Sequence, residues 1–198
     1  MTIGTPMFAI TDTETGGLKP EKNALTQVSV IVVDENLNEI EAFATKIYPR
    51  AGYTVEPAAA EINGYNEEEW KQIGMDADQA DRSYAMFLDQ FFKDRAAIGV
   101  AHNAAFDAKF LAHHMPNAYA RYLQIGGPDR KLHDGWYCTM VALKEWRSRC
   151  KYAGTNKLGD LAQLASYEIV GKAHDALVDT RTCLAGMRWL QQHKDDTF

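Results

Sequence analysis

Three places in this 198-residue chain gather side chains able to do acid–base or metal chemistry. The first is Asp12-Thr13-Glu14-Thr15-Gly16-Gly17-Leu18. Asp12 and Glu14 stand two apart at the end of an apolar strand candidate, residues 7–11. Period-two alternation puts both carboxylates on one face of a sheet. Side by side they repel unless a cation lies between them, and hard divalent ions such as Mg²⁺ or Mn²⁺ take oxygen ligands of this kind. A solvated turn is the ordinary alternative for Asp-x-Glu taken alone. The second place is His102-Asn103-Ala104-Ala105-Phe106-Asp107, directly after an apolar run at 96–101. Asn103 suits a helix N-cap, and Asp107 follows one turn later on the same side, where a carboxylate is also favoured by the helix dipole. The third is His174-Asp175-Ala176-Leu177-Val178-Asp179. In one continuous helix, positions 174 and 179 would lie about 140° apart. A helix that starts near Asp175 instead leaves His174 on a loop and holds Asp179 firmly. An imidazole beside a fixed carboxylate suits a general base near a metal, whereas a surface His next to a helix-terminal Asp is the plainer reading.

The elements that must position these groups follow from patterning. Residues 7–11, 25–34 and 40–48 are rich in apolar and β-branched residues, and short polar turns join them. They predict an antiparallel meander. Pro57 suits the first turn of a helix over 58–62, and Asn63-Gly64 stops it. Tyr84, Phe87, Leu88, Phe91 and Phe92 form one face of a helix over 82–95. A buried strand at 96–101 leads into a helix over 103–114, and 117–132 reads as irregular. A fifth strand at 136–138 precedes helices over 140–149, 157–165 and 176–192. The result is a mixed sheet flanked by helices. The first and fourth strands can end at the same rim, where ligands collect in sheets of this type.

Composition narrows the class. Hydrophobic residues at 46% and charged ones at 24% fit a soluble globular protein and exclude disordered and fibrous chains. The length suits one domain over residues 1–198. No apolar run approaches the ~20 residues that span a bilayer, so no membrane partner is expected. The N-terminus lacks the pattern of a secretory signal. Cys138, Cys150 and Cys183 are dispersed, which argues against disulfides and zinc knuckles and for the cytoplasm. A net charge of −6 argues against a wide nucleic-acid footprint, but leaves room for a small site where bound cations supply positive charge. Lys144, Arg147, Arg149, Lys151 and Lys157 are a basic stretch. Lys144, Arg147 and Lys151 recur at helical spacing, as a stripe that steers a ligand or as a solvated face. Trp136, Tyr137 and Trp146 read as core, and His113-His114 as helix surface.

Taken in order, the three clusters resemble the exonuclease motifs of the DnaQ-like 3′–5′ exonucleases, the DEDDh branch of the RNase H-like nucleases. The likeness runs from about residue 7 to 190. It implies an RNase H-like α/β fold, with a mixed five-stranded sheet made of the β1-β2-β3 meander plus parallel strands. It also implies that Asp12, Glu14, Asp107 and Asp179 hold two divalent ions, Mg²⁺ or Mn²⁺, and that His174 takes a proton from water. A nucleoside 5′-monophosphate would then leave the 3′ end of single-stranded or frayed DNA. The resemblance assigns Thr15, Gly16, Leu18, Ile62 and Asn63 to the terminal nucleotide, with backbone N–H groups of Thr15 and Gly16 at the 3′ end. Leu18 is either a wedge against the base or a buried anchor of its turn. Asn103 orients Asp107 or the phosphate, or caps its helix. Phe106 packs in the core or stacks on a base. Two positions depart from the family pattern: Gly16 stands where Thr is usual, and Asn63 stands where the substrate-side loop usually has His. DNA is favoured over RNA. A DNA polymerase is an implied partner, although Asp195-Asp196-Thr197-Phe198 leaves little tail to tether one, and a homo-oligomer remains open. The competing readings are an RNA 3′-end-trimming enzyme of the same family and a non-catalytic nucleic-acid or polymerase-interaction module. A His-Asp phosphohydrolase, suggested by His133-Asp134 and His174-Asp175, needs a helical bundle that the β-rich first 50 residues oppose.

Overall fold

In the computed structural model, which describes residues 5–123, 132–133, 135–172 and 174–197, the meander consists of three ten-residue strands. These are β1 (Pro6–Thr15), β2 (Leu25–Asp34) and β3 (Glu39–Tyr48), and both pairings are antiparallel. β1 runs four residues beyond its apolar stretch because Thr11, Thr13 and Thr15 are β-branched and continue the alternation. Asp12 and Glu14 therefore lie within the strand, opposite Ser29 and Gln27 of β2.

The next elements are α1 (Pro57–Asn63), α2 (Glu67–Ile73), β4 (Met75–Asp76), α3 (Ala77–Phe91), β5 (Ile98–Ala101), α4 (Ala104–His114) and α5 (Pro116–Tyr119). After them come β6 (Leu132–His133), β7 (Trp136–Cys138), α6 (Thr139–Arg149), α7 (Leu158–Leu164) and α8 (Ala176–Gln192). The sheet has seven strands in the order β4-β3-β2-β1-β5-β7-β6. The five expected strands are its interior, and two two-residue strands that sequence patterning missed extend its edges. β1 and β5 pair in parallel, so their C-terminal ends share one rim.

Alternation along β1 and β2 divides the core. Ala9, Val28, Val30 and Val32 pack with Tyr84 and Leu88 of α3 and Leu111 of α4. Ile10, Ile31 and Val33 pack with Val100 and with Cys183, Leu184 and Met187 of α8 on the other face. With helices on both sides, every residue of β2 is buried. Gly99 is dictated by packing, because a Cβ there would lie 2.3 Å from the Trp136 indole.

Several helix expectations need correcting. α3 begins at Ala77, five residues before the expected start at Arg82, because the Asp76 carboxylate accepts from the Gln79 N–H and caps it. α2 was missed, although Asn66 caps it through the Glu69 N–H and three glutamates follow in its first turn. α5 overlaps the start of the segment expected to be irregular, whose residues 124–131 are outside the described residues, as are residues 1–4 and Asp134. His114 is not helix surface. It is buried, with Nε2 at 3.0 Å from the Asn23 carbonyl, and burial lowers its pKa to about 4. The basic residues do not run as a solvated stripe along one helix, since α6 ends at Arg149 and Arg147 turns inward, although Lys144, Arg147 and Lys151 line one surface hollow. Arg147 donates to the Ala153 carbonyl and lies 3.9 Å from Asp160. Trp136 and Trp146 are core as expected, and Tyr137 is half-buried. Among the described residues, no helix is long and apolar enough to cross a membrane.

Candidate active site

The rim shared by β1 and β5 collects the acidic groups from both faces of the sheet. Asp12 and Glu14 follow Ile10 in the alternation and point toward α8. Asp107 comes from α4 on the opposite face, one turn into its helix. Its Oδ1 accepts from the Thr13 N–H at 3.0 Å and the Thr13 hydroxyl at 2.8 Å. Thr13 thus carries the third carboxylate round the strand end to the other two.

Asp179 and His174 arrive with α8. Asp175 is its N-cap, accepting from Leu177 N–H and Val178 N–H, so the helix starts where the sequence placed it. The Ser29 hydroxyl of β2 donates to the Ala176 carbonyl at 2.7 Å and touches the Thr180 hydroxyl. This pins the first turn of α8 on the strand that faces Asp12. His174 precedes the helix on a backbone with φ of 63°, half-exposed. Its N–H donates to Asp179 Oδ2 at 3.2 Å, and its ring Nδ1 lies 3.8 Å from Glu14 and 3.9 Å from Asp179. Each of Glu14, His174 and Asp179 offers one ligand atom within 4.8 Å of the others.

The electrostatics follow from this crowding. Glu14 is 9% and Asp107 4% exposed. Burial first, then Asp179, Asp107 and Asp175, raise Glu14 to about 8. Burial raises Asp107 to about 7 despite the two Thr13 donors that oppose it. Asp12 is pushed well above the ordinary carboxylate range by burial and by Asp107, Glu14 and Asp179. Burial raises Asp179 as well, and the adjacent His174 pulls it back. Among the described residues, none of the four forms an ion pair with Lys or Arg. An all-carboxylate set beside one imidazole, short of positive charge, fits a hard divalent cation.

The residues expected at the substrate divide into exposed side chains and buried supports. Leu18 is 73% and Ile62 53% exposed, so Leu18 is no buried anchor. Asn63 is buried, and its amide donates to the Thr15 carbonyl at 3.0 Å. It supports the β1–β2 loop instead of facing solvent. The Gly16 N–H is spent on the Ala24 carbonyl at 2.7 Å, which removes it from the donors expected at a 3′ end. A Cβ at Gly16 would lie 2.4 Å from the Thr54 carbonyl, which is why threonine does not fit here. The Thr15 hydroxyl is turned to the Gly17 carbonyl. Asn103 makes no side-chain cap bond and is exposed. It lines a cavity of about 700 Å³ with His174, Asp179, Met140, Leu158 and Ile169. Phe106 is half-buried, with its ring 4.9 Å from Phe110. Sequence reasoning missed Thr13 and Ser29. Their one signal was alternation, which aims Thr13 away from Asp12 and toward α4.

The profile of the RNase_T family, described as exonuclease, matches residues 9–186. No curated protein sequence matches the chain. Among solved structures, the zinc-bound exonuclease I–single-stranded DNA complex of E. coli is similar, with a TM-score of 0.73 at 20% identity over 94% of this chain and 40% of that one. E. coli exonuclease I in complex with a dT13 oligonucleotide aligns at 0.70, with 20% identity over 94% of this chain and 41% of that one. Exonuclease I from Methylocaldum szegediense aligns at 0.69, with 20% identity over 94% and 40%. At this identity the likeness is one of fold, the RNase H-like exonuclease fold. The chain spans about two fifths of the length of these structures.

Proposed function

Because the chain belongs to the RNase_T exonuclease family, we propose that it removes nucleotides singly from the 3′ end of single-stranded or frayed DNA, releasing nucleoside 5′-monophosphates. The observation that carries this reading is the grouping of Glu14, His174 and Asp179 within 4.8 Å, with Asp12 and Asp107 close enough to raise the same carboxylates and, among the described residues, no ion pair from Lys or Arg to any of the four. Two structural neighbours hold single-stranded DNA or an oligonucleotide, which supports DNA over RNA.

In this reading the four carboxylates hold two divalent ions, Mg²⁺ or Mn²⁺. Such a pair, when bound, offers Lewis-acid stabilisation to the entering and departing oxygens of an in-line displacement. His174, on its loop between Glu14 and Asp179, accepts the proton of the attacking water. The new phosphorus–oxygen bond forms opposite the bond to the departing 3′ oxygen, which breaks, and that oxygen takes a proton from solvent to leave the shortened strand with a 3′ hydroxyl. Thr13 keeps Asp107 oriented. Leu18 and Ile62 flank the terminal nucleotide, and Asn103 faces the phosphate from the cavity side.

The test is degradation of 5′-end-labelled DNA and RNA oligomers of one sequence with Mg²⁺. A ladder shortening from the 3′ end is expected, faster on DNA, abolished by EDTA and absent in Asp12→Ala and His174→Ala proteins that keep their circular dichroism. Full activity in Asp12→Ala would overturn the mechanism. Tight binding without turnover would favour a non-catalytic module.

A further inference from the structure

Leu18 stands out from a loop that contains Gly16 and Gly17, so its pose depends on what holds the loop. The base of the loop is held by Asn23, whose Oδ1 accepts from the Lys19 N–H at 3.0 Å and whose Nδ2 donates to Glu56. The tip is held from across the site. Lys109 Nζ donates to the Leu18 carbonyl at 3.0 Å. The same ammonium lies 4.8 Å from the Phe106 ring centroid and 5.7 Å from that of Phe110. Phe106, Lys109 and Phe110 follow the i, i+3, i+4 pattern and so share one face of α4, while Asp107 turns toward Thr13. A single exposed lysine therefore ties the loop of the first acidic motif to the helix of the second. Its ammonium makes a charge-assisted hydrogen bond to the loop while lying over the rings of Phe106 and Phe110 on its own helix.

We infer that Lys109 is a positioning residue that braces Leu18 as a fixed wall of the terminal-nucleotide site. The inference rests on the exonuclease reading. Lys109 touches none of the acidic groups, and its ammonium acts through the Leu18 carbonyl. Loss of the brace lets the loop sample other poses, which weakens substrate and transition state alike. Such a loss of uniform binding raises KM and leaves kcat in place.

The experiment compares wild type, Lys109→Met and Lys109→Arg on a single-stranded DNA oligomer with Mg²⁺. The methionine variant is expected to raise KM about fivefold, the scale of one exposed charge-assisted hydrogen bond, with kcat within about twofold. Arginine, which keeps a donor and a cation, is expected to restore KM. A 3′-terminal 2-aminopurine, bound in Ca²⁺, should be less quenched in Lys109→Met than in wild type. An unchanged KM in Lys109→Met, an equal fall in kcat, or arginine failing as badly as methionine would overturn the inference. Wild-type protein inactive on every 3′ end would instead overturn the exonuclease reading, so the two failures are separable.

Discussion

Replacing Glu14 with glutamine is expected to strengthen the metal-free fold while removing its activity. Glu14 is raised from 4.5 to about 8, chiefly by burial and then by Asp179 and Asp107. A carboxyl whose folded pKa is raised keeps its full contribution below pH 4.5 and loses it as pH rises toward about 8, because the unfolded chain releases the proton that the folded chain retains. Linkage puts the cost near ~1 kcal/mol at pH 5 and ~4 kcal/mol at pH 8, as an upper bound. Four neighbouring carboxylates share protons, so about 2 kcal/mol of difference between the two pH values is the working figure. Glutamine has the same shape and no ionisation. In EDTA at pH 8, Glu14→Gln should therefore melt ~4–8 °C above wild type, at 2–4 °C per kcal/mol for a domain of this size. At pH 5 that gap should mostly close. Titrating groups remote from the cluster are common to both proteins and cancel in the comparison, whereas Asp12, which Glu14 helps to raise, titrates more easily in the variant and trims the gain. Added Mg²⁺ should stabilise wild type more than the variant. Activity should fall by at least about 100-fold, since even outer partners of metal ligands act on that scale. If Glu14→Gln melts at or below wild type at pH 8, or keeps an equal advantage at pH 5, the claim that this site is a repelling, cation-seeking cluster is wrong.

Two other outcomes follow from the same contacts. Thr13→Val removes the 2.8 Å hydroxyl donor to Asp107, and the Mg²⁺ concentration for half-maximal activity should rise by roughly 10–100-fold, with activity recovering at saturating Mg²⁺; titration of activity with Mg²⁺ checks this. His114 is lowered from 6.5 to about 4 by burial and by His113, so the wild-type fold should lose stability as pH falls from 6.5 toward 4, where the unfolded chain takes up the proton first. His114→Gln, which keeps a donor for the Asn23 carbonyl, should flatten that acid limb in urea melts run from pH 7 to pH 4.

What could be read in the sequence was whatever depends on local period. β1 shows both limits. Alternation placed Asp12 and Glu14 on one face, and the helix start at Asp175 followed from the angle between positions 174 and 179. The strand's true end at Thr15 was lost because Thr and Glu look polar, although Thr is a good strand former. β4 and β6 have two residues each and exist only by pairing with an edge already formed, so no pattern announces them. The inward turn of Arg147 depends on the Ala153 carbonyl and Asp160, which the fold brings back against α6.

The contacts that assemble the site are of this second, long-range kind. Thr13 meets Asp107 across 94 residues, Ser29 meets Ala176 across 147, and Lys109 meets Leu18 across 91. Each is a hydrogen bond from a residue with no chemical signature of its own. The carboxylates could be named together only because the order of the three clusters resembles a known family's motifs. Their supports could not, because a threonine, a serine or a lysine satisfies many folds equally well. The physical roles divide accordingly: burial and crowding raise the acidic residues and make their ionisation costly, and the quiet donors on both faces of the sheet hold that costly arrangement in place.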